Sequence, residues 1–538
     1  MRKLLTIFLL LSGTALAQTP SQFANLKKCA ITGCLQNSAS GSGCYLTVNT
    51  TYTADSDCTA YASPNDTIPS VYDGTAGTIY TDPTFGTQIK RIGPGIGAGS
   101  CTAGAYAPKY ASVQSWSLNG DNLMLNGPSG FSYLFNGNDP YTCVRKINVS
   151  NDGADELWMM WSNSNDNWLI NTNGSTVRKV DVSMADAITT LTVTATAASN
   201  NDTNFNVMCD TSSNCLTLST CEMGTVCVIK PYQYCGVSDD DTKFAGKIIA
   251  SSTGDVYGFG LFQYNLTNNT VQLNWFHKLT TPGDLVNTNA PQNSRPKSAC
   301  ISPDGDYVIV TWNTDNTFTH YGTEQYKASD GTFVARNGPN NTIGGEEDSH
   351  PDVGRLAGGT EAWFAAYCGG TGEPQLHNDY RRWLGAQLAP ANNSSCTPPT
   401  DAQSVWVPDT SLFSSWHLSA RNTIGSNNIM NGWALLSSYN AVVAAVDQSP
   451  QVPMGSEIFA MHFDGSDETR RIAHAQSCPA EGAGGVGYYG EPHATPNRTF
   501  TKVIWGSTWR DCSNTAAINT FLVELPLVGL VPGRQPRL

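Results

Sequence analysis

Positive charge is scarce in this chain. Lys and Arg together number 30 against 44 Asp and Glu, and the formal net charge is -14. Proteins that grip nucleic acid or anionic lipid surfaces carry a basic footprint, so neither partner is expected. Helical patterning is also missing. No long segment repeats apolar residues at i, i+3, i+4 and i+7. Beyond the first residues there is no apolar run long enough to cross a bilayer. No C-x-x-C pair, C-x-x-C-H haem site, G-x-S-x-G elbow or H-E-x-x-H motif occurs. These absences remove thiolate zinc clusters, c-type haem, serine-hydrolase elbows and zincin chemistry.

The first residues carry a different signal. Arg2 and Lys3 precede the apolar stretch Leu4 to Ala15, and Ala15-Leu16-Ala17 is a small-x-small site. This reads as a secretory signal peptide over 1–17, with Gln18 opening the mature chain. Sixteen cysteines fit export, because an even count in an exported chain implies disulfides. They crowd at Cys29, Cys34, Cys44 and Cys58, and again at Cys209, Cys215, Cys221, Cys227 and Cys235. Asn-x-Ser/Thr sequons recur from Asn49 to Asn497. In a glycosylating host they would mark surface loops.

The remaining pattern is all-β. Charged residues make up only 14% of the chain and glycines number 50, as suits a turn-rich protein. Residues 18–75 are expected to form a Cys-rich N-terminal extension, 76–528 a propeller and 529–538 a tail. Within the main body, polar Asp-Gly or Asn-Gly turns alternate with apolar runs. Ser117-Leu118-Asn119-Gly120-Asp121 leads into Leu123-Met124-Leu125, and Ser302-Pro303-Asp304-Gly305-Asp306 into Tyr307-Val308-Ile309-Val310. Phe463-Asp464-Gly465-Ser466 follows Glu457-Ile458-Phe459-Ala460-Met461. Such steps supply the positive φ of tight hairpins. Spacings of roughly 50–70 residues suit four-stranded blades, about seven of them. A β-helix or a pair of sandwiches are the competing architectures.

The Ser302-Pro-Asp-Gly block resembles the strand–turn repeat of TolB-like propellers, and Ser456 to Asp467 resembles the outer hairpin of that repeat. Thr81 to Ile92 resembles the opening blade of oligogalacturonate-lyase-like propellers. That resemblance implies a seven-bladed ring holding a manganese-type ion on histidines and a glutamine near its channel.

Eight histidines are present, and three contexts stand out: Asp348-Ser349-His350-Pro351, Trp416-His417-Leu418 and Gly490-Glu491-Pro492-His493. Each precedes an apolar strand: Glu361–Tyr367, Gly432–Tyr439 and Thr501–Trp505. Equivalent positions in consecutive blades converge near the axis. Imidazoles and a carboxylate meeting there would suit a divalent ion, whether manganese, zinc or calcium. The resemblance implies His350, His417, His493 and Glu491 as ligands, although Glu491 stands where the lyase motif has Gln and a second His is missing.

A lyase acting on a uronate-containing glycan must remove a weakly acidic carbon-bound proton, with a cation or Arg beside the sugar carboxylate. Arg421 is expected to pair that carboxylate and His377 to act as base. Arg381, Arg382 and Trp383 would hold the sugar. His462 reads as a surface residue, and His277, His320 and His474 occupy ordinary polar contexts. The partner is an extracellular polysaccharide or oligosaccharide and the chain a monomer. The rival reading is a noncatalytic propeller binding glycan or protein at the same face.

Overall fold

A computed structural model of the 538-residue chain describes residues from Pro69 to Leu525, apart from internal segments. The longest of these are 150–158, 196–226, 279–295, 313–321, 338–351, 367–379, 389–402, 440–456 and 478–490. The clusters Cys29–Cys58 and Cys209–Cys221, and the residues His320, His350 and His377, lie outside the described residues. No helix among the described residues is long and apolar enough to cross a membrane.

The described strands form six hydrogen-bonded sheets. One has eight strands, but it is two antiparallel meanders joined only by parallel pairing of Thr192–Ala195 with Thr270–Leu273. Counting these separately gives seven blades in chain order. Blade 1 holds Asn122–Asn126, Ser132–Asn136 and Cys143–Lys146. Its inner edge is completed by single bridges from Ala107 and Trp116. Blade 2 runs Met160–Trp161, Trp168–Asn173, Thr176–Asp181 and Ala187–Ala195. Blade 3 runs Cys227–Lys230, Lys243–Ala250, Val256–Asn265 and Thr270–Lys278. Blade 4 runs Pro296–Ile301, Tyr307–Trp312, Thr323–Lys327 and Phe333–Asn337. Blade 5 runs Asp352–Arg355, Glu361–Ala366, Tyr380–Gln387 and Gln403–Pro408. Blade 6 runs Ser415–Ser419, Trp433–Tyr439, Glu457–His462 and Thr469–His474.

Blade 7 closes the ring. Thr495–Pro496, Lys502–Ser507 and Asn519–Glu524 come from the C-terminal side, and Gln88–Ile92 and Tyr80–Thr81 from the N-terminal side. Ile89 pairs with Val523 and Ile92 with Thr520. The Thr81–Ile92 segment is therefore not an opening blade. It forms the outer strands of the last one, because pairing the chain's two ends removes the free edge an open ring would leave. Pairing extends slightly further upstream, where the Tyr72 amide donates to the Arg91 carbonyl at 2.8 Å.

Packing confirms the count. The buried apolar side chains fall into seven clusters, and each lies between consecutive blades, from blades 1 and 2 round to blades 7 and 1. Alternation along a strand therefore selects a neighbour rather than core against water. Trp433 and Leu435 pack toward blade 7, while Ala434 and Leu436 pack toward blade 5. This corrects the expectation for His462. Its strand is buried at every position, and the ring stacks on Trp433 at 4.4 Å between centroids. His277 and His474 are buried as well, His277 against the Gly331 carbonyl at 2.7 Å.

The turn grammar has a common physical origin. Gly120 and Gly305 have φ of 77° and 78°. In each turn the preceding Ser carbonyl accepts the glycine amide, and its hydroxyl accepts the amide at the next strand's start. Ser238 and Asn497 build equivalent turns without the Pro-Asp-Gly letters.

Candidate metal centre

The inner strands of blades 6 and 7 bring three sequence-selected residues together. His417 lies within Ser415–Ser419 rather than in a loop before a strand, paired with Ser437. Glu491 and His493 stand just before Thr495–Pro496. The His493 amide donates back to the Glu491 carbonyl at 2.9 Å, a tight turn about Pro492 that sets both side chains to one side. The Ser437 hydroxyl accepts from the Ala494 amide at 3.3 Å, tying blade 7's entry to blade 6.

His417 Nε2 donates to Glu491 Oε2 at 2.6 Å, and His493 Nε2 lies 3.4 Å from the same oxygen. The two rings meet edge to face with centroids 4.1 Å apart. All three residues are buried. Burial raises the Glu491 carboxyl, but hydrogen bonds and positive charge from His417 and His493 outweigh it and hold it at about 2. The group thus stays ionised, the form that ligates cations. One potential ligand atom from each residue lies within 4.8 Å of the others. Ligands bound at about 2.0–2.2 Å can be at most about 4.4 Å apart across an ion. In a tetrahedral set such ligands stand about 3.4 Å apart, so the side chains would have to turn toward a common point to hold an ion; the donor set itself, two imidazole nitrogens and an ionised carboxylate, fits a divalent cation.

Tyr110 covers the cluster, its ring 5.2 Å from His417 and 4.8 Å from His493. Sequence reasoning missed it, because one Tyr among 21 in a loop carries no distinguishing pattern.

Among the described residues, the other selected ones are not gathered with these three. Arg421 follows the inner strand of blade 6, and its terminal nitrogens donate to the carbonyls of Ile301 and Val237. Arg381, Arg382 and Trp383 sit on the third strand of blade 5, paired with Val407, Trp406 and Val405. That strand stands two positions outward from the inner one.

No protein-family model matches the sequence, and no curated protein matches it. Solved structures do resemble the fold. One is an oligogalacturonate lyase in complex with manganese, 12% identical over 86% of this chain and 98% of that one, with a TM-score of 0.50. Another is an oligogalacturonate lyase from Vibrio parahaemolyticus, 10% identical over 83% of this chain and 96% of that one, with a TM-score of 0.48. The manganese-complex likeness places this chain among β-propellers in fold.

Proposed function

We propose that this protein is an exported, carbohydrate-active propeller that holds a divalent ion on His417, Glu491 and His493 and cleaves uronate-containing glycans by elimination. The observation that carries the reading is the buried convergence of two imidazoles and an ionised carboxylate at the junction of two inner strands. The fold likeness to a lyase complexed with manganese supports it. A bound cation would polarise the sugar carboxylate and so ease loss of the neighbouring carbon-bound proton. His417 and His493 would each offer a ring nitrogen, and Glu491 would offset part of the ion's charge. The signal-like N-terminus and the even cysteine count support an oxidising destination outside the cytoplasm.

The test is incubation of the manganese-loaded protein with pectic oligomers, following unsaturated products in the near ultraviolet. Product formation that His493→Ala abolishes supports the reading. Absence of product across pectic and other uronate oligomers, with metal bound, leaves the noncatalytic binding propeller as the better description.

A further inference from the structure

Blade 1 has a loop where the other blades have an inner strand. Ala107 bridges to Asn126 and Trp116 to Leu123. Two residues separate those partners on Asn122–Asn126, whereas eight separate Ala107 from Trp116. A β-bulge ordinarily adds a single residue, so this surplus has to leave the sheet. Pro108 opens it, and without an N–H it cannot continue a ladder. Every residue from 108 to 115 is buried except Gln114, which is half-buried. The surplus therefore runs inward, into the channel, and not out to solvent.

Its contacts reach the far wall. The Val113 amide donates to the Tyr110 carbonyl at 3.1 Å, closing a turn about Ala111 and Ser112. Tyr110 and Val113 share one buried cluster with Cys300 and Ile309 of blade 4 and Val353 and Trp363 of blade 5. The Tyr110 ring also lies 5.2 Å from His417 of blade 6 and 4.8 Å from His493 of blade 7. On the near side, the Trp161 indole of blade 2 donates to the Ser115 carbonyl at 2.9 Å. A loop from blade 1 that touches blades 2, 4, 5, 6 and 7 spans the passage. His417, Glu491 and His493 are each 4% exposed or less. Ligands covered this fully exchange an ion only when their cover moves. The strands that carry or follow them are paired, Ser415–Ser419 with Trp433–Tyr439 and Thr495–Pro496 with Lys502–Ser507. Loop 108–115 belongs to no strand, so it is the part of the cover that opens most readily.

We infer that loop 108–115 is a gate over the candidate metal centre, shut in this structure by Tyr110, and that it swings aside to let a divalent cation in or out. The role rests on the ion proposed above for His417, Glu491 and His493. The same movement would have to precede contact between a sugar and that ion. A gate and a support are separable by kinetics. A gate speeds or slows entry and release alike and leaves affinity where it was. A residue that only orients His417 and His493 changes affinity.

The experiment follows manganese exchange in the full chain. Entry is timed after adding manganese to the metal-free protein, and release after adding excess chelator to the loaded protein. Affinity comes from equilibrium dialysis, and bound manganese is read by elemental analysis. Tyr110→Ala should speed entry and release together by about tenfold or more, since a buried aromatic ring secures its surroundings by at least that factor, with affinity held within about twofold. Tyr110→Phe keeps the ring and should exchange as wild type does. Val113→Ala loosens the same loop from blades 4 and 5 and should speed both steps by a smaller factor. It takes the place of Tyr110→Ala if that variant does not fold. A wild type that retains no manganese removes the ion and the gate together. Where wild type retains manganese, wild-type rates in folded Tyr110→Ala, or in Val113→Ala standing in for it, overturn the gate alone. So does faster release with unchanged entry, which marks Tyr110 as a support for the ligands.

Discussion

His417 Nε2 and Glu491 Oε2 stand 2.6 Å apart across the junction of blades 6 and 7. The chain places them 74 residues apart. Ring geometry brings them together, because inner strands of neighbouring blades share the channel wall. Blade phase places the side chains, and the two imidazoles, against the effect of burial, keep the carboxylate ionised.

Ring closure makes Ile89 a sensitive position. It is fully buried and packs with Val503, Phe521 and Val523 on the N-terminal strand that completes blade 7. Ile89→Ala should cost about 2–5 kcal/mol by denaturant unfolding, as large-to-small core changes do. Ile429→Ala, at a side chain 65% exposed, should change stability by less than about 0.5 kcal/mol. Equal effects at the two positions would argue against closure through the N-terminal strand.

Cys101 and Cys143 form a disulfide that links the entry of blade 1 to its third described strand and spans 42 residues of chain. Cross-linking a loop of that size restricts the unfolded chain by about 3–4 kcal/mol. The Cys101→Ala/Cys143→Ala pair should unfold at clearly lower denaturant concentration, and reduction of the wild type should lower its melting temperature. No shift on reduction would show that this link contributes nothing to stability.

Acid stability should depend on Asp82. Burial alone would raise its carboxyl, but the charge of His474 and hydrogen bonds from that residue's ring and amide hold it below the usual carboxylate range. A folded pKa below the unfolded value of about 3.9 contributes stability that is present above that pH. The contribution is lost as pH falls through the folded value. Unfolding measured between pH 7 and pH 2 should show this acid-side loss in wild type and a shallower one in Asp82→Asn. The variant should be less stable near neutrality by about 3–5 kcal/mol, the usual cost of breaking a buried ion pair. An unchanged acid limb would remove Asp82 from the explanation.

Much of the fold was legible because propeller turns repeat a chemical need. Gly120 and Gly305 each supply positive φ at a hairpin, and the serines before them cap the turn. The strands Asn122–Asn126, Tyr307–Trp312 and Glu457–His462 fall where those motifs put them. Ring closure was not legible, because pairing between Ile89 and Val523 leaves no local pattern. His462 was misread because alternation normally separates core from water, whereas this strand is covered on both faces. In the candidate site, His417 and His493 stood out, together with His350, by their similar places in consecutive blades, and Glu491 by its likeness to the lyase motif. Tyr110 did not, since a lone Tyr looks ordinary until the channel assembles around it.

The central claim is that His417, Glu491 and His493 hold a divalent ion, and equilibrium dialysis against manganese followed by elemental analysis tests it most directly. Wild type should retain close to one equivalent. His417→Ala and His493→Ala, verified as folded by circular dichroism, should retain little or none. A folded wild type without metal, or folded variants that bind it as wild type does, would contradict the assignment.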